Sequence, residues 1–347
     1  MYTTKRVRKT RGLKLYLFVL LLCLLTFHGL HKTSNAASQG MKELIEGAKS
    51  EGELIFYASM NITQMTAVID AYEKKYPFVK VKPFRTGGVR LLTRILAETR
   101  AKKLLADAIQ TLEFNMHAFK ERGILGHYPS TSDRFYPKDF KEEGYWATAY
   151  LNPYVVCYNN KLVIREDIPK TYEDLLNPRW KGKMMMNAGK VDWFAGMLQI
   201  MGKENGLQFM RELSKQNIVR QSGHELVATL VAAGEAELDI NIPVSPLLTM
   251  KKRGAPLDWV ALGTVPGVMV GVGINSQALH PNAAKLYKEF MLSKEGQNVL
   301  RRFGRMSARS DMVRPKVYQG LQVVPVNPAL AGSLDEYAKI EREIFSK

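Results

Sequence analysis

Three short turns carry the chemistry that this sequence offers most openly: Thr86–Gly87–Gly88, Asn187–Ala188–Gly189 and Ser222–Gly223–His224. Each stands at the start of a helix-like segment, so unpaired backbone N–H groups and the positive helix end can hold an anion there. A plain capped turn is the alternative reading at each, since Ser, Thr and Asn cap helices in any fold. His224 adds a ring donor, with a surface or capping histidine as its alternative. Asp192 and Trp193 fall one turn into the helix after Gly189; Trp193 reads either as a stacking wall or as core. Ser59 and Asn61 stand just past the run Glu53–Tyr57, and Tyr150 and Asn152 lie beside the run Tyr154–Tyr158.

Enzymatic signatures are missing. The sequence has no phosphate-binding GxxxxGK loop, no GxSxG elbow, no HExxH and no CxxC. The acid pair Glu142–Glu143 reads as solvated charge, and the six histidines are scattered. No run of Lys and Arg interleaved with aromatics provides a nucleic-acid groove. A binding role is expected, without a cofactor or a bound metal.

The first residues form no part of the expected fold. Lys5, Arg6, Arg8, Lys9, Arg11 and Lys14 precede the apolar run Leu15–Phe27, and a polar stretch of small residues follows. That order is the signature of a secretory signal peptide over residues 1–36, with an uncleaved membrane anchor as the alternative. A lipoprotein reading at Cys23 fails on Leu22, which is too large for the position before a lipidated cysteine. Export places the protein in the periplasm or outside the cell. Losing the leader, with Lys32 counted, lowers the formal net charge from +17 to +10, which still favours an anionic partner. Cys157 then remains alone and reads as a small core hydrophobe.

The 347 residues have room for two domains, and strand-like and helical runs alternate along them. Strands are expected at 53–57, 79–84 and 107–111, with helices at 63–75, 89–106 and 115–122. After residue 184 the alternation resumes, with helices at 191–201, 204–216, 224–233, 246–253, 280–292 and 293–303. This is the pattern of an α/β protein with mostly parallel sheets.

One stretch ties these halves together. Tyr158-Asn159-Asn160-Lys161-Leu162 is followed by Pro169-Lys170-Thr171-Tyr172-Glu173-Asp174-Leu175-Leu176-Asn177-Pro178-Arg179-Trp180-Lys181-Gly182-Lys183. It resembles the hinge-crossing segment of bacterial extracellular solute-binding proteins, the capture components of ABC importers. Pro281-Asn282-Ala283-Ala284 through Phe290-Met291-Leu292-Ser293-Lys294-Glu295-Gly296-Gln297 resembles a second signature of that family. The segments around Ser222–Glu235 and Gly254–Val260 are similar to its iron(III)-type branch. The resemblance spans residues 42–310.

It implies a two-lobed type II periplasmic-binding-protein fold with a ligand cleft and a hinge of two crossing segments, near Trp146–Pro153 and Pro266–Gly271. The first lobe is expected at 37–149 with 266–300, the second at 150–265 with 301–347. The family's partners are an ABC permease and a small solute, here an anion or an iron chelate, with the protein a monomer. Its ferric members use adjacent tyrosines after the strand matching Leu238–Ile242, where this sequence has Asn241-Ile242-Pro243-Val244-Ser245. Glu113 lies beside their carboxylate ligand, and Asn61 falls near their histidine. A tyrosine grip on bare Fe(III) is not expected; ferric iron through a non-tyrosine site stays open as the alternative, as does a binding lobe used for sensing.

Overall fold

The structure, a computed structural model, describes residues 39–346; the leader expected over residues 1–36 lies outside them. A helix over 39–51 (α1) leads into β1 (Glu53–Ala58), α2 (Ile62–Lys75), β2 (Lys80–Arg85), α3 (Gly88–Arg100), β3 (Ala108–Leu112) and α4 (Glu113–Glu121). β1 pairs with both β2 and β3 in parallel, as alternating strands and helices require. The spacing of Met65, Val68, Ile69 and Tyr72 puts one face of α2 in the core. Asn61 starts that helix by accepting from the Thr63 N–H at 2.9 Å.

After the short β4 (Lys141–Glu142), the strand β5 (Trp146–Asn159) is the spine of the molecule. Residues up to Pro153 pair with β10 (Val265–Ile274), whereas Tyr154–Asn159 pair with β8 (Leu238–Pro243) and β9 (Leu257–Val260). The change of sheet falls at Pro153, which has no N–H to continue a ladder. The second sheet is completed by β6 (Met184–Asn187) and β7 (Val219–Gln221), parallel to one another. Strand order is β2-β1-β3-β10-β5-β8-β6-β7, with β4, β9 and β11 (Val323–Pro325) off that path. The return crossing runs through residues 261–264, just ahead of the expected Pro266–Gly271, which already lie within β10.

Helices α5 (Val191–Met201), α6 (Lys203–Ser214), α7 (His224–Ala233) and α8 (Val244–Lys252) cover the second sheet; α9 (Pro281–Leu292) and α10 (Lys294–Arg301) return to the first, and α11 (Leu334–Phe345) lies on α5 and α6. α5 comes very close to β10 at Gly196, where a Cβ would sit 2.5 Å from Pro266 Cβ. Only glycine admits that approach. Cys157 is fully buried and unpaired.

Several helices are shorter than their sequence pattern. α3 stops at Arg100 instead of Ala106, because Lys102 takes a left-handed φ of 53°. Before Pro178 the chain makes only a single 3-10 turn, Glu173–Leu176, because the residue preceding a proline is kept out of the α region. Residues 293–303 do not continue α9: Ser293 leaves the helical region and caps α10 instead, accepting from the Gly296 N–H at 3.2 Å. No described helix is long and apolar enough to cross a membrane.

Candidate functional site

A cleft of about 1190 Å³ opens between the two sheets where β5 and β10 cross. Its floor is Leu112, Tyr154, Val268 and Pro243, residues at strand ends and on the crossing strands. Around that floor the N-termini of α2, α5, α7 and α8 converge, contributing Asn61 and Gln64, Asp192, His224 and Glu225, and Ser245. Four helix starts aimed at one space create a positive potential from backbone dipoles alone.

The side chains add to that sign. Arg85, Lys190, Arg253 and Arg305 line the cleft against two carboxylates, Asp192 and Glu225. Arg305 is the best anchored of the four. Its Nε donates to Gln64 Oε1 at 2.9 Å, its Nη1 to Asn152 Oδ1, and its guanidinium lies 4.4 Å from the Tyr150 ring centroid. Nη2 has no partner among the described residues. Arg85 is laid over the turn before α2, its Nε donating to the Met60 carbonyl at 3.0 Å.

On the opposite wall the Tyr154 hydroxyl donates to Asp192 Oδ2 at 3.3 Å and stands 3.5 Å from His224 Nε2. Burial pushes the Tyr154 phenol well above its ordinary value, and the charge of Asp192 adds to that. His224 moves the other way: burial, then the charge of Lys190, lowers it to about 3, so the ring is neutral at physiological pH. Its Nδ1 is buried without a hydrogen-bond partner.

Behind Leu112 lies Glu113, the first residue of α4 and fully buried. Neither carboxyl oxygen has a partner. Burial, then the charge of Asp192 across the cleft floor, raises this carboxyl well above its usual range.

The structure gathers some of the expected residues and separates others. Asn61, Asp192, Gly223 and His224 line the cleft. Tyr150 lies under Arg305 and is otherwise buried, its hydroxyl accepting from Gln110 Nε2 at 3.3 Å. Ser59 is turned from the cleft, its N–H donating to the Gln110 carbonyl at 3.1 Å. Thr86, Gly87 and Gly88 open α3 outside the cleft, with the Thr86 N–H on the Ala58 carbonyl at 3.2 Å. Trp193 is buried in the apolar core that also holds Phe114, Tyr154 and Val268.

The turn after β6 is occupied by the protein itself. Asn187 Oδ1 accepts from the Gly223 N–H at 2.9 Å, and Asn187 N donates to Asn241 Oδ1 at 2.8 Å. Asn187 and Asn241 therefore fix the start of α7 from behind. The Ala188 N–H goes to the Gln221 carbonyl at 2.8 Å, and the Gly189 N–H faces Glu341 Oε1 at 3.5 Å. Glu341, buried on α11 and paired with Arg220 at 2.7 Å, stands where an anion would have to sit. Ser222 is exposed.

Arg85, Lys190, Tyr154, Arg253 and above all Arg305 are absent from the sequence-derived set. Arg305 meets Gln64 and Asn152 across 241 and 153 residues of chain, so no local spacing signals it. A tyrosine does reach the cleft, but Tyr154 comes from the crossing strand and not from the segment after β8. Among the described residues no group of three His, Cys, Asp or Glu side chains is arranged to hold a metal ion.

Residues 112–323 match the family described as bacterial extracellular solute-binding protein. The chain belongs to that family. It is a solute-binding protein of the two-lobed type II class, and the family is one of binding proteins rather than enzymes. It is 27% identical over 269 residues to an uncharacterized protein of Haemophilus influenzae, covering 73% of this chain and 76% of that one. The periplasmic binding protein AfuA from Actinobacillus pleuropneumoniae, solved with fructose-6-phosphate bound, is 23% identical at a TM-score of 0.70 over 84% of this chain and 97% of its own. Iron-bound HitA from Pseudomonas aeruginosa is 20% identical at a TM-score of 0.72 over 84% and 99%. Both share its fold.

Proposed function

We propose that this solute-binding protein captures a small phosphorylated, hydroxyl-bearing solute outside the cytoplasm and hands it to an ABC permease. Arg305 carries the reading: a guanidinium held on two sides and from below, with one amino group left over, at the meeting point of four helix N-termini. The free Nη2 of a guanidinium suits a charged oxygen of a phosphate or carboxylate. Asp192, Glu225 and the neutral His224 supply acceptors for hydroxyl groups on the opposite wall. The fructose-6-phosphate bound by AfuA has both features. Among the described residues no three His, Cys, Asp or Glu side chains are grouped to hold an ion such as the ferric iron that HitA binds.

Calorimetric titration with fructose 6-phosphate, fructose, inorganic phosphate and ferric citrate tests the reading. The phosphate ester binds most tightly, free fructose does not bind, and Arg305→Ala weakens binding of the ester on the order of a hundredfold. Binding of ferric citrate alone would overturn it.

A further inference from the structure

We propose that the natural solute carries an anionic group at each end, the second seated in an annexe of the cleft built by Lys252, Arg253 and Arg302. This rests on the reading that the cleft holds an anion. A pocket of about 290 Å³ adjoins the cleft and shares Thr249, Arg253 and Phe303 with it. Lys252, at the end of α8, and Arg302, just past α10, line only the annexe.

None of the three cations forms an ion pair with a described carboxylate, whereas the neighbouring Lys251 is held by Asp258 at 2.6 Å. Basic residues at helix C-termini ordinarily serve the helix dipole, which places roughly half a negative charge at each C-terminus. Two C-termini meet here, supplying about one negative charge against three positive, so an excess of about two remains on a concave wall. Gly304 closes the annexe: its φ is +71°, and a Cβ would lie 2.8 Å from Leu248 Cδ1.

α8 sets the distance between the two anion-favouring places. Its N-terminus faces the cleft at Ser245, and its last turn carries Lys252 and Arg253. Nine residues separate the ends by about 12 Å at 1.5 Å per residue. A solute spanning that distance is an extended molecule with terminal anions, such as a sugar bisphosphate. The room is sufficient, since about 1190 Å³ exceeds the roughly 300–1,000 Å³ usual for small-molecule sites.

The test is calorimetric titration of the full chain with fructose 6-phosphate and fructose 1,6-bisphosphate. The bisphosphate is expected to bind at least about tenfold more tightly. In a Lys252→Ala/Arg302→Ala variant that ratio falls to about one, and Lys252→Arg with Arg302→Lys restores it. Equal or weaker binding of the bisphosphate by the natural chain, or a ratio untouched by the double alanine variant, overturns the proposal while leaving the single-anion reading in place. If neither probe binds, or Arg305→Ala changes neither affinity, both readings fall.

Discussion

The guanidinium of Arg305 lies 4.4 Å from the ring centroid of Tyr150, joining a loop that follows α10 to the strand that crosses between the sheets. Asn152, two residues further along that strand, takes the same guanidinium from its edge. Arg305 is thus tied at two points to the strand that runs through both sheets.

Charge alone does not reproduce that anchor. In Arg305→Lys a point charge replaces the fork, and the bonds to Gln64 and Asn152 cannot both be kept. Affinity for fructose 6-phosphate should fall about tenfold in the lysine variant and on the order of a hundredfold in Arg305→Ala. Equal affinities for the natural chain and the lysine variant, by calorimetry, would show that only the charge matters.

The sign of the cleft should not change with pH through His224. Burial and Lys190 hold its ring near pKa 3. The carbon resonances of that ring, followed by NMR, should stay at their neutral position from pH 8 to pH 5. A midpoint near the ordinary histidine value of about 6.5 would mean that the ring is solvated and that the cleft gains a cation in mild acid.

Asp239 should make stability fall as pH rises. The side chain is fully buried in β8; one oxygen accepts from the Asn241 N–H at 3.1 Å and the other has no partner. Burial pushes its pKa from 3.8 up to about 7. Between those values the native chain keeps a proton that the unfolded chain has lost, so each rise in pH favours unfolding. The full effect, on the order of 4 kcal/mol, is reached above pH 7. Asp239→Asn keeps the shape and carries no charge, so urea melts should show it more stable than the natural chain at pH 8 and nearly equal at pH 4. A natural chain equally stable at both pH values sinks this account.

The architecture was legible in the sequence because its signals are local. The apolar spacing of Met65, Val68, Ile69 and Tyr72 marked α2. The hinge motif at Tyr158–Lys183 resembled a family to which the chain belongs. The cleft was legible only in part, for two physical reasons. Helix N-termini look alike in sequence whether they face a ligand or the protein, and the turn at Gly189 faces the protein's own Glu341. Arg305, Arg85 and Tyr154 meet only after both sheets have formed, so no spacing along the chain announces them.

Glu113 and Asp192 approach one another from the starts of α4 and α5, on opposite sides of the cleft floor. Burial is the larger cause of the raised Glu113 pKa and the Asp192 charge the next, so the two can be separated by substitution. The proton on Glu113 stabilises the native state while it remains bound; that stability is lost as pH rises from the unfolded value of about 4.5 toward the raised native one. Glu113→Gln should therefore gain stability at pH 8 and little at pH 4. In an Asp192→Asn background the same change should gain less, because the opposing charge is gone and only burial remains. Thermal melts of the four proteins at the two pH values decide it. A gain of equal size in both backgrounds would show that Asp192 does not act on Glu113, and that burial alone raises this carboxyl.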